Sequence, residues 1–266
     1  MSPRRPRWLA TVGVVLALAL ASGTAEAGRS CEQKPLSAQS VARAMALAEK
    51  TAARLDQTGA RVVVLARAGQ NLSEYGLRYS HLGFAYREGE RGPWRVVHKL
   101  NQCGSGRASL YRQGLGEFFL DDLWQYEAAA VVLAPSTQSA LAAMLADNAH
   151  VARLDTPAYN MVAYPWSGRY QQSNQWAIET LAMAQDAGAD TRERAQAWLR
   201  LKGYEPTTLH LSTTKRLGAR LFAANVAFDD HPNEKRFADR IETVTVDSVF
   251  RWLERSGLGG TAQVIR

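Results

Sequence analysis

Cysteine, proline and long apolar runs are all scarce in this 266-residue chain, and each shortage excludes a class of protein. Two cysteines are too few for a disulfide scaffold. They form no Cys-x-x-Cys spacing, so neither a zinc ribbon nor a thioredoxin-like redox motif is present. Nine prolines and 20 glycines, with 46% hydrophobic residues, exclude a collagen-like or disordered chain. Internal repeats are absent, as are linker-like stretches that would divide the chain. Only one apolar run invites comparison with a membrane span. Leu9–Ala21 is 13 residues long, against the roughly 20 that a spanning helix needs. Basic runs with interleaved aromatics are also missing. The pI near 9.6 therefore does not imply a nucleic-acid partner. Arg61, Arg67, Arg87, Arg91 and Arg95 alternate with apolar residues and with Glu88 and Glu90, as a solvated surface does.

The N-terminus carries an address. Arg4, Arg5 and Arg7 precede the apolar run, and Ala25-Glu26-Ala27 is a small-x-small cleavage site. Residues 1–27 therefore read as a secretory signal peptide and residues 28–266 as one mature domain in the periplasm or outside the cell. Pro6 and Arg7 disagree with a twin-arginine signal, which points to general secretion. Removing those 27 residues lowers the formal charge from +7 to +5 over 239 residues. Export also favours a Cys31–Cys103 disulfide, with Cys103 as a reactive thiol the minor alternative.

The pattern of the mature chain is α+β, with an antiparallel sheet packed against helices. A helix is expected after Ser37, which caps it, up to a stop at Gly59. Strands are expected over 61–67, 79–87 and 94–100, the last two joined by a hairpin, and again over 127–134. Helices follow over 136–147, capped by Ser136, and over 173–187, 191–201, 217–222 and 249–254. A strand is expected over 241–246, and the tail after Gly257 reads as loose.

Two strings carry chemistry. In Ser80-His81-Leu82-Gly83-Phe84 a glycine interrupts a strand, which implies that something small packs opposite while the imidazole points to one face. In Tyr170-Gln171-Gln172-Ser173-Asn174-Gln175-Trp176 a hydroxyl stands at a helix start, with Trp176 seating the helix. These strings resemble the permuted papain-like superfamily, relatives of NlpC-type peptidases and lecithin:retinol acyltransferase. That resemblance implies a strand histidine first, a polar orienting residue on the next strand, and a cysteine opening a later helix. His81 takes the first place, His98 the second and Ser173 the third, so serine stands where the superfamily has cysteine. Over nearly everything after Cys31 the chain also resembles a bacterial family, domain of unknown function 2145. Gly76 to His81, Phe118 to Asp122, Tyr170 to Trp176, and Phe228 to Pro232 carry that likeness.

A nucleophile at a helix N-terminus is favoured by the macrodipole, an imidazole takes its proton, and a third group fixes the tautomer. Ser173, His81 and His98 would then form an amide or ester hydrolase or an acyltransferase. Against this, Ser173 also suits a plain N-cap, because serine satisfies a free helix amide without any chemistry. Loss of the thiol favours the rival expectation, an envelope binding or assembly module that keeps the papain-like fold without its catalysis. Its partner would be an envelope ligand or protein. No cofactor and no metal are called for, and Asp229-Asp230-His231-Pro232 reads as a capped turn.

Overall fold

The computed structural model describes residues 35–266 apart from positions 88, 90 and 91. The expected signal peptide and Cys31 lie outside the described residues. In chain order the elements are α1 (Ala38–Asp56), β1 (Val62–Arg67), β2 (His81–Arg87), β3 (Trp94–Asn101), β4 (Ala108–Gly114), α2 (Leu115–Phe119), β5 (Ala128–Val132), α3 (Pro135–Leu145) and α4 (Asn148–Ala152). The second half holds α5 (Ser173–Gln185), α6 (Arg192–Leu201), β6 (Thr207–His210), α7 (Thr213–Phe222), α8 (Asn233–Arg236), β7 (Arg240–Thr243), α9 (Val246–Arg255) and β8 (Gln263–Ile265). The expected α+β class with an antiparallel sheet packed against helices is what the chain adopts.

Six strands form one sheet in the order β4-β3-β2-β1-β5-β8, with every neighbouring pair antiparallel. Successive side chains on a strand point to opposite faces, and here both faces are covered. Val63, Leu65, Ala85 and Val96 pack with Leu47 and Leu55 of α1 and with Phe118 and Phe119 of α2. Val64, Leu82, Phe84, Val97 and Val131 pack on the other side with Leu141, Trp176, Ile178 and Trp252, from α3, α5 and α9. Double coverage explains why β1 reads Val-Val-Val-Leu-Ala-Arg without alternation and is buried throughout. A second sheet of β6 and β7 has its own small core of Leu209, Leu211, Phe228 and Ile241.

Helix starts follow their capping chemistry. The Ser37 hydroxyl accepts from the Ser40 amide and Thr191 caps α6, as expected. Thr245 and Ser248 form a reciprocal capping box on α9, so the strand expected over 241–246 stops at Thr243. The helix expected from Ser136 begins instead with Pro135 in its first turn and has no side-chain cap; proline suits this place because the first helical amide has no partner within the helix. Three strands, β4, β6 and β8, were not anticipated. β4 is an edge strand whose polar residues are half exposed, which blurs the alternation. β8 turns the expected loose tail into a sheet edge by pairing with β5, and Ile265 is buried there. No helix among the described residues is long and apolar enough to cross a membrane.

Candidate functional site

His81 and His98 meet on the α1–α2 side of the sheet. His81 Nε2 and His98 Nδ1 are 2.8 Å apart, and both rings lie against Phe118 at centroid distances of 6.0 and 5.1 Å. Gly83 makes this possible. A Cβ there would stand 2.8 Å from the His98 Cβ and 2.7 Å from the Val97 carbonyl oxygen. The bare glycine leaves room for His98 and the Val97 carbonyl against β2, so what packs there is a histidine side chain and backbone rather than the small group expected. His98 Nε2 lies 2.7 Å from Gln113 Oε1, and Gln113 Nε2 donates to Glu117 Oε1 at 3.1 Å. On β1 the buried Arg67 is the register partner of His81. Its guanidinium bonds the Phe118 carbonyl and pairs with Asp121 at 2.7 Å. Burial, then the Arg67 charge, lowers His98 to about 4, and the same two causes followed by His98 hold His81 well below the usual imidazole value. Both rings are neutral at physiological pH.

Ser173 opens α5, the helix that covers the opposite face. Phe84, one strand position beyond Gly83, meets Trp176 of α5 with ring centroids 6.0 Å apart. The neighbour of Ser173 on the helix, Asn174, accepts from the Leu82 amide at 3.1 Å and donates to the Val244 carbonyl. Ser173 lies beside the Tyr159 phenol, which burial pushes up although the serine draws it down. Gln172, not Ser173, is the N-cap, its side chain accepting from the Asn174 amide. The structure therefore pairs His81 with His98, and among the described residues no hydrogen bond joins Ser173 to either imidazole. Leu82 and Phe84 pack in the core with α5, and alternation turns His81 and Gly83 to the other face, while the start of α5 reaches the Leu82 amide beside His81. The simple N-cap reading of Ser173 is corrected, because Gln172 holds that position.

Around Ser173 runs a polar network that sequence reasoning did not anticipate. α5 is buried on every side from Ser173 to Met183 rather than along one face. Glu179, fully buried, accepts from Arg192, Gln171, Gln175 and Gln196. Arg192 also binds the carbonyls of Ser167, Gly168 and Tyr170. Lys99 reaches the same region from β3, its Nζ bonded to Asp155, Thr156 and Gln171 at 2.6, 2.6 and 2.8 Å. Burial lowers this lysine, and Asp155 partly restores it. The one available signal was the polar density of Gln171 to Glu179 in a helix that otherwise reads as apolar.

The remaining candidates have structural roles. His231 lies between Asp230 and the Glu242 carbonyl at 3.0 Å each, within the turn. Among the described residues no group of His, Cys, Asp and Glu has a metal-binding arrangement. Cys103, between β3 and β4, is disulfide-bonded and offers no free thiol, whereas Cys31 lies outside the described residues. The aromatic residues that precede α5 make separate contacts. Trp166 packs on Tyr204 and Arg200, and Tyr164 on His231.

Fold and site together define a two-faced α+β domain with a neutral histidine pair on one face and a serine-led buried helix on the other. The chain belongs to the family described as "Uncharacterized protein conserved in bacteria (DUF2145)", whose model matches residues 54–253. No curated protein and no solved structure matches the chain, so the papain-like likeness gains no support from those comparisons.

Proposed function

We propose that the chain is an exported, non-catalytic binding or assembly module of the bacterial envelope, acting on an envelope ligand or protein partner. The observation that carries this reading is that Ser173, standing where the resembled superfamily has cysteine, has no hydrogen bond to either histidine among the described residues. A serine hydroxyl is a weak nucleophile and depends on an adjacent base. Ser173 has Tyr159 beside it, a phenol held in its protonated form. The competing reading, a serine-dependent amide or ester hydrolase or acyltransferase, needs Ser173, His81 and His98 on one face. The distribution of side chains along β2 counts against it. The N-terminal basic and apolar regions with Ala25-Glu26-Ala27 support export.

The test uses the purified full chain and a fluorophosphonate probe that labels activated serines. We expect no labelling of Ser173 and no turnover of ester or amide substrates. Labelling that disappears in both Ser173→Ala and His81→Ala would overturn the reading in favour of the hydrolase. Export is checked separately by fractionating cells and sequencing the N-terminus, which should begin at Gly28. A chain retained in the cytoplasm with residues 1–27 intact would remove the envelope part of the proposal.

A further inference from the structure

The polar chain from His81 to the surface determines which nitrogen of each imidazole carries its proton. It starts at Glu117 on the exposed side of α2. An ionised carboxylate only accepts hydrogen bonds, so the Gln113 amide must turn its NH2 group toward Glu117 Oε1. That leaves Gln113 Oε1 facing His98 Nε2, which must then donate. A neutral imidazole has a single N–H, so His98 Nδ1 is a bare lone pair. The facing atom, His81 Nε2, must donate to it, and His81 Nδ1 is left unprotonated.

We propose that Gln113 and Glu117 are positioning residues that lock His81 in its Nε2–H tautomer and so present Nδ1 as an acceptor for a hydroxyl or N–H group. Neutrality of both rings is the condition for this polarity, and the surroundings meet it. The pair is packed against Phe118, the nearest cation is Arg67 on β1, and Asp121 is bound to that arginine. The inference goes beyond the binding reading and is independent of it. It concerns the face of the sheet away from Ser173, and the tautomers are set whether or not a partner binds elsewhere.

The test is long-range proton–nitrogen correlation NMR on the full chain labelled with nitrogen-15 histidine, near neutral pH. His98 and His81 should each show a protonated Nε2 and a bare Nδ1. Glu117→Lys then replaces the acceptor by a donor at an exposed helix position. Gln113 should turn over, and both imidazoles should switch to the Nδ1–H tautomer. A purely structural role for Glu117 would leave the tautomers unmoved. The proposal is overturned if wild-type His98 carries its proton on Nδ1. It is equally overturned if a Glu117→Lys chain with a native-like fingerprint spectrum keeps both original tautomers.

Discussion

Gly83 is the residue on which the pairing of the two imidazoles depends. Both the Val97 carbonyl and the His98 Cβ would lie under 3 Å from an added methyl, and neither is the end of a flexible chain. Overpacking of this kind costs about 1–3 kcal/mol, so Gly83→Ala should lower the free energy of unfolding by about that amount, lower the denaturation midpoint accordingly, and part the two rings. Loss of the His81–His98 coupling in histidine NMR, together with the lower midpoint, checks both effects. The histidines also impose a pH dependence. His98 sits at about 4 when folded, against an ordinary value of 6.5, so the unfolded chain binds more protons between these limits. Stability from this residue is complete above 6.5 and is lost as the pH falls toward about 4, by at most about 3 kcal/mol. Urea titrations across that window should show the decline, and His98→Gln should flatten it.

At the scale of elements, α5 is held both by apolar packing around Trp176, Ile178 and Leu181 and by the Glu179–Arg192 pair. The pair joins α5 to α6 and, through three carbonyls, to the 167–170 segment that leads into the helix start. Because every polar atom of Arg192 is engaged, the network specifies one arrangement. Removing one partner leaves the other charge buried and alone, which costs about 3–5 kcal/mol. Glu179→Ala should therefore destabilise strongly, whereas Glu179→Met combined with Arg192→Met should recover part of the loss. A double-mutant cycle by chemical denaturation measures the difference, and additive effects would contradict the network. This element also shows how much of the site was legible. Ser173 and Trp176 announced a helix start, and it is there. Its partners were hidden, since Tyr159, Thr243 and Val244 are local neighbours only after folding. The face to which His81 points was hidden for the same reason. Alternation along β2 says that Leu82 and His81 point oppositely, but only the packing of α2 and α5 says which side is which. The Gly83 signal was readable because steric exclusion is local.

For the whole molecule, the weakest boundary is the sheet edge closed by the C-terminal strand. β5 is Ala-Ala-Ala-Val-Val, buried, and β8 is its outer neighbour. The tail was expected to be loose because three residues carry too little pattern to read as a strand, yet Ile265 enters the core beside α1. Beyond it Arg266 reaches Glu127, which also accepts from Tyr79 and Arg78. Burial raises this carboxyl, but the bonds from Arg266, Tyr79 and Arg78 outweigh it and hold the carboxyl below its usual value. A depressed carboxyl contributes stability above its unfolded value, and that stability is lost as the pH falls through the folded one. The Arg266 side chain is 68% exposed, so solvent screens the pair and Arg266→Ala should cost no more than about 1 kcal/mol. Deleting residues 263–266 should do far more. It removes Ile265 from the core and exposes an apolar strand edge with unpaired backbone groups, a template for pairing with another chain. Light scattering during thermal unfolding separates the two contributions. Arg266→Ala should melt slightly earlier and stay monomeric, while the truncated chain should aggregate on heating through its β5 edge. If Arg266→Ala aggregates as readily as the truncation, the edge is guarded by the ion pair rather than by the strand.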